Sequence, residues 1–261
     1  MCTLTLATKN DGYLLAMNRD EKIARGAGTA PETRSCDGTR AIYPTDGAGG
    51  TWIAANDRGI TLALLNWHLP GQLPADSTMA QSRGKLIPAL ADSHTLADVA
   101  GALNVLDLDL IQPFRMVGIF LSGRAVYEWR WNSPTLETVV QSWEPRHWFS
   151  SSISDEEVLR SRGATCGAAW HETDAGSSTW LRRLHASHAD VPFSICVHRE
   201  TVSTLSYTEV CCGPERVEME HFFGNPCVME KNGSVSLELV TKSPATPPFI
   251  ATTPSATVQP V

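Results

Sequence analysis

A cysteine stands at position 2, and the polar run Asn18-Arg19-Asp20-Glu21 follows at about the reach of one short hairpin. A thiol reacts as its thiolate, has a free pKa near ~8.5, and is activated by a neighbouring cation such as Arg19. If Met1 is removed, the α-amine of Cys2 lies on the same residue as the sulfur, and its pKa of about 8 suits a general base near neutral pH. One residue then supplies nucleophile and base, Asp20 holds the ammonium form, and Arg19 supports the thiolate or binds a carboxylate on the substrate. The alternative is that Cys2 is a small apolar strand residue and the charged run is a solvated strand end.

Two hairpins would position these groups. Thr3–Ala7 and Tyr13–Met17 flank Lys9-Asn10-Asp11-Gly12, a strong tight-turn signal. An Asp11-Gly12 loop sets Cys2 opposite Glu21, a three-residue Asn10–Gly12 loop sets it opposite Asp20, and an Asn10-Asp11 loop sets it opposite Arg19. Directly opposed residues lie about 4.5–5.5 Å apart, so every register brings Cys2 beside the polar run, and the register decides which member faces it. A second hairpin joins Thr51–Ala55 to Ile60–Leu65 through Asn56-Asp57-Arg58-Gly59. Helices are expected over Ser82–Ala91, Thr95–Leu103, Asp155–Arg162 and Ser178–His188, with Thr95 as a cap. Strands are expected over Arg115–Leu121, Ala125–Trp131, Leu136–Gln141, Ser194–Val197, Val202–Tyr207 and Val217–Phe223. This order predicts an α+β layered domain of mainly antiparallel strands over residues 1–242. Residues 243–261, rich in Pro, Thr and Ala, read as a disordered tail.

The 261 residues are 42% hydrophobic and 19% charged, the composition of a globular chain, and the net charge of −7 argues against general nucleic-acid or anionic-membrane binding. Seven cysteines at irregular spacing, without a CxxC pair, suggest a reducing compartment. The N-terminus lacks a secretory pattern and no stretch has the ~18 apolar residues of a membrane span, so a cytoplasmic protein acting on a small molecule is expected, its oligomeric state left open.

Met1-Cys2-Thr3, the Asn18–Glu21 tetrad, "GGTWIAANDRGITLALLN" (49–66), "SRGKLIPAL" (82–90) and "SICVHRETVSTLSYTEV" (194–210) together resemble the NRDE family, which includes the transport and Golgi organisation 2 proteins. That family is similar to the N-terminal nucleophile hydrolases, which implies a four-layer αββα sandwich of two mainly antiparallel sheets. The resemblance extends to N-terminal cysteine amidases of the bile salt hydrolase and penicillin V acylase type. It places Asn18 and Asp20 on their Asn and Asp, puts Met17 where they carry an arginine with Arg19 as the substitute, and makes Asn66, closing "Gly59…Leu65-Asn66", an oxyanion-hole donor. Cys2, Asn18, Arg19, Asp20 and Asn66 are then the catalytic candidates. Glu21, Trp52, Trp67 and Arg199 are the substrate-binding candidates, Arg199 as the late arginine of the relatives. The implied activity is hydrolysis of a linear amide, or acyl transfer, through Cys2. The rival reading implied by the family is a non-catalytic binding or chaperone protein handling haem, lipid or acyl-CoA.

Other groups are weaker candidates. Asp46-Gly47-Ala48-Gly49-Gly50 lacks the Lys-Ser/Thr of a P-loop and reads as a flexible loop beside the pocket. His185 and His188, with Asp190 near, lack an evident third ligand, so neither metal nor cofactor is expected. Cys211, Cys212 and Cys227 read as buried structural thiols, and Trp129 and Trp131, on one strand face, as core or pocket wall.

Overall fold

The computed structural model describes residues 2–69, 81–189, 193–228 and 230–240. Residues 243–261 of the expected tail lie outside them. The chain opens with β1 (Cys2–Thr8) and β2 (Tyr13–Lys22), joined through Asn10-Asp11 with Lys9 N donating to Gly12 O at 2.8 Å. Of the three registers the arithmetic allowed, this turn selects the one that sets Cys2 opposite Arg19. Next come β3 (Glu32–Cys36), β4 (Thr39–Tyr43), β5 (Ile53–Asn56) and β6 (Ile60–Asn66). The β5–β6 turn explains its own sequence. Asn56 Oδ1 accepts from the Arg58 and Ile60 amides at 3.0 and 3.1 Å, and Gly59 adopts φ +71°, which other residues rarely tolerate.

The expected helix over Ser82–Ala91 is instead a 3-10 turn at Arg83–Lys85 followed by the short α1 (Leu86–Leu90). Helix α2 (Leu96–Val105) begins at Thr95 with a capping box closed by Asp98. Strands β7 (Phe114–Phe120), β8 (Ala125–Trp131), β9 (Leu136–Gln141) and β10 (Arg146–Ser150) lead to α3 (Asp155–Ala169) and α4 (Ser178–His185), capped by Ser154 and Ser177. Then β11 (Val202–Cys212), β12 (Arg216–Phe223) and β13 (Glu230–Glu238) close the described chain. Residues Ser194–Val197 are irregular rather than a strand, with only an isolated bridge between His198 and Ser203 beyond them.

All strand pairs within the two sheets are antiparallel. One sheet runs β10-β1-β2-β11-β12-β13, the other β3-β4-β5-β6-β7-β8-β9. Three apolar clusters give the layering. Leu4, Leu6, Leu15 and Met17 of the first sheet meet Ile53, Leu65, Val117 and Ile119 of the second in the central core. The outer face of the second sheet, including Trp129 and Trp131, packs on α1 and α2. The outer face of the first packs on α3 and α4 through Phe149, Trp180 and Tyr207. The result is the expected α+β sandwich, helix–sheet–sheet–helix, built because each sheet buries apolar side chains on both faces. Tyr13 Oη donates to Thr61 Oγ1 at 2.6 Å and ties the sheets together inside the core. No helix among the described residues is long and apolar enough to cross a membrane.

Candidate active site

Cys2 begins a strand that is flanked on both sides, opposite Arg19 on β2 and Ser150 on β10. It is 7% exposed, and burial pushes its thiol above the ordinary value, with the Asp20 charge adding to the rise. Cys2 lines an open cavity of about 310 Å³ at the edge of the central core, together with Arg19, Asp20, Glu21, Trp52 and Asn66. Residues 17 and 19 are two apart on β2 and share its inner face, so Arg19 continues the row of Leu15 and Met17 to where the core opens. Its guanidinium lies 4.4 Å over the Trp52 ring and donates from Nη1 to Gly26 O at 2.8 Å. The stack and the carbonyl fix the charge at the cavity wall.

Asp20 is fixed from behind. Its Oδ2 meets Arg162 Nη2 at 3.1 Å, its Oδ1 accepts from Thr204 Oγ1 at 2.6 Å, and Arg162 Nη1 also donates to Thr3 Oγ1 at 2.6 Å. Both side chains of this ion pair are fully buried, and burial pushes the Asp20 carboxyl up while Arg162 holds it down. A register shift of β11 between Thr204 and Ser206 puts Thr204 opposite Asp20.

The structure places Asn18 away from the cavity. Its amide donates to His185 O and Ile195 O at 2.9 and 3.1 Å, and its Oδ1 meets His185 Nδ1 at 3.0 Å. It clasps β2 to α4 and to the irregular stretch before β11. Trp67, just past β6, is half-buried with its amide on Pro113 O, and Arg199, whose amide donates to Val202 O, sits in the approach to β11; neither is among the cavity-lining residues. Asn66, Trp52 and Glu21 do line it.

Two arginines of the cavity went unassigned in the sequence. Arg83 lines the cavity from the 3-10 turn, donating to Pro113 O at 3.0 Å, and burial lowers its pKa. Arg25 pairs with Glu21 at 2.9 Å and Asp46 at 2.7 Å across the rim. The signal for Arg83 lay in "SRGKLIPAL", which showed a helix start but not its neighbour. The glycine-rich stretch is a compact turn rather than a loose loop, because Asp46 Oδ1 accepts from the Ala48 and Gly50 amides at 3.0 and 2.9 Å. Thr51 N donates to Gly84 O at 2.8 Å, and a Cβ on Gly50 would stand 3.1 Å from Gly84 Cα. Gly50→Ala must therefore push back the turn carrying Arg83; it is expected to cost about 1–3 kcal/mol in chemical denaturation and to weaken any anionic ligand of the cavity.

Buried histidines surround the β1–β2 hairpin. His185 is held neutral between Asn18 and Thr5, whose Oγ1 lies 2.9 Å from Nε2, and burial lowers its pKa to about 3, with His147 and Arg162 adding to the fall. His221, whose Nε2 has no partner among the described residues, is pushed down to about 4 by burial and by Arg19. Each folded pKa lies below the unfolded value of 6.5. The stabilising contribution is therefore fully present above that pH and is lost as pH falls through it toward 4 and 3. His147, likewise lowered by burial to about 4, adds to them, so between pH 8 and 5 the three together are expected to remove roughly 6 kcal/mol from unfolding free energy measured by denaturant titration, and His221→Gln to flatten about a third of that slope.

The seven cysteines are free; Cys212 is buried as expected, but Cys211 and Cys227 are exposed. Asp190 lies outside the described residues, and the imidazole of His185 is committed to Asn18 and Thr5.

The fold is similar to that of penicillin V acylase from Agrobacterium tumefaciens, with 13% sequence identity, 86% of this chain and 83% of that chain covered, and a TM-score of 0.51. A mutant of conjugated bile acid hydrolase from Clostridium perfringens is 10% identical over 91% of this chain and 92% of its own, at a TM-score of 0.47. At such identities the first likeness is one of hydrolase-like fold. No match is found among curated proteins. The pattern of a sequence family described as transport and Golgi organisation 2 matches residues 1–206. With the tetrad, the paired hairpins and more than half of its length inside that match, the chain belongs to the transport and Golgi organisation 2 family.

Proposed function

We propose that the protein is an N-terminal cysteine hydrolase of linear amides that carry an anionic group, working after removal of Met1. The observation that carries the reading is the placement of Cys2, Arg19 and Asn66 around one cavity. An acylase of the same fold supports amide chemistry. The freed α-amine of Cys2 takes the thiol proton, the sulfur attacks the amide carbonyl carbon, and Asn66 donates to the developing oxyanion. The proton passes to the leaving nitrogen as the C–N bond breaks. Water, deprotonated by the same amine, then cleaves the thioester to release the acid and restore the thiol. Asp20, braced by Arg162 and Thr204, holds the hairpin end and the ammonium form.

Arg19 and Arg83 bring two guanidiniums to the cavity, donating to the backbone carbonyls of Gly26 and Pro113, whereas Arg25 is paired with carboxylates. Such a pair fits a substrate carboxylate. Arg19→Gln is expected to raise KM for an N-acyl amino acid by roughly 10–100-fold, with a much smaller change for the corresponding neutral amide. Steady-state kinetics on matched N-acyl amino acids and N-acyl amides checks this. Equal losses on both substrates would remove the carboxylate from the reading.

The binding-protein reading draws on the burial of the Cys2 thiol, which disfavours its thiolate. It predicts tight retention of a haem, lipid or acyl-CoA ligand without turnover, and the same kinetic panel separates the two.

A further inference from the structure

Away from the cavity, three side chains with soft-metal chemistry converge. Cys196 Sγ lies 3.8 Å from Cys227 Sγ, and His198 Nε2 lies 3.2 Å from each sulfur. The sulfurs are well beyond the ~2.05 Å of a disulfide. A tetrahedral zinc ion with thiolates at about 2.3 Å and imidazole nitrogen at about 2.0 Å requires separations of roughly 3.8 Å between sulfurs and roughly 3.5 Å from sulfur to nitrogen. The sulfur pair already has that spacing, and the imidazole is a few tenths of an ångström inside it. We propose that Cys196, His198 and Cys227 bind one zinc-like divalent cation.

Asn225 flanks the ring: its side-chain nitrogen lies 2.6 Å from His198 Nδ1 and 3.1 Å from Nε2, while its Oδ1 accepts from Ser203 Oγ at 2.9 Å, and Ser203 Oγ also reaches Val197 O at 3.0 Å. Ligation through Nε2 requires the imidazole hydrogen on Nδ1, the tautomer in which Nε2 offers its lone pair between the two sulfurs.

The backbone is also prepared. Cys196 N donates to Ser187 O at 2.9 Å, Val197 N to Thr204 Oγ1 at 2.8 Å, and Thr204 N to Val197 O at 2.9 Å. This explains why Ser194–Val197, strand-like in sequence, is held out of the sheet. Binding forms two S–metal bonds and one N–metal bond and sends the two thiol protons to solvent. Three protein ligands leave one tetrahedral corner for water. The cation would clasp the stretch before β11 to the β12–β13 connection, and that stretch is hydrogen-bonded through Val197 to Thr204 of β11, which holds Asp20.

The test uses the full chain, stripped of metal and kept under a phosphine reductant. Zinc is titrated against a chromophoric chelator, and cobalt(II) is read by absorption. One equivalent should bind, with sulfur-to-cobalt charge transfer and a raised melting temperature. Cys227→Ser and His198→Gln, both at exposed positions, should each weaken binding at least ~100-fold and abolish the thermal shift. Cys36→Ser, which removes the exposed thiol beside Asp37 and Asp92, should change neither. Circular dichroism confirms that each variant is folded. Zinc affinity in the parent no greater than in the Cys227→Ser/His198→Gln double variant, loss of binding in Cys36→Ser, or a cobalt spectrum without sulfur charge transfer would overturn the site.

Discussion

Cys2→Ala is expected to lower kcat/KM on N-acyl amino acids by at least ~10³-fold while leaving the melting temperature within a few degrees of the parent. The two effects separate because the side chain is small and stands at the open end of the core. Removing its sulfur deletes the proposed nucleophile but little packing. Cys2→Ser keeps a nucleophilic atom and the α-amine, so it should fall between parent and Cys2→Ala. A structural role alone would reverse the pattern, with stability lost and residual turnover unchanged in proportion to folded protein.

The second large effect concerns the buried ion pair. Arg162 and Asp20 have fully buried side chains, and Arg162 also holds Thr3 and, from Nε at 3.3 Å, Phe193 O. Arg162→Met takes the buried charge partner away from the Asp20 carboxylate, and breaking such a pair one-sidedly is expected to cost about 3–5 kcal/mol in urea or guanidinium unfolding. Replacing both partners, as in Arg162→Met with Asp20→Asn, should recover much of that loss. The double variant should lack activity, because the proposed mechanism uses the Asp20 carboxylate to hold the ammonium form of Cys2. A single variant as stable as the parent would mean that the pair contributes no net structure.

How much of this was legible from the chain depends on the range of the interaction. The first hairpin was, because Asn-Asp-Gly is local turn chemistry. Its register was not, because the same Asn-Asp-Gly signal serves three different loops, and only the folded hairpin shows that Asn10-Asp11 closes it. Strand β3 was invisible because Glu32-Thr33-Arg34-Ser35-Cys36 is largely exposed and lacks alternation. Strand β13 is interrupted by Gly233 and strongly polar, so its pairing with β12 rather than its composition makes it a strand. Within the site, Cys2, Arg19, Asp20 and Asn66 could be named from hairpin geometry and family resemblance. Arg83 and Arg162 could not, since each acts through partners far away in sequence. Asn18 stood out in the tetrad for the same reason as its neighbours, yet strand alternation turns it to the helix side, where His185 consumes its hydrogen bonds. Cys196, His198 and Cys227 show no metal spacing in sequence, because Cys227 arrives on a different hairpin.

The most direct measurement is the intact mass of the mature protein, before and during reaction with a slowly hydrolysed N-acyl amino acid. The mature chain should be lighter by one methionine and gain a single acyl mass on Cys2, lost again as thioester hydrolysis completes and absent in Cys2→Ala. A mature chain that retains Met1, or one that turns substrate over without ever carrying the acyl group on Cys2, would contradict it.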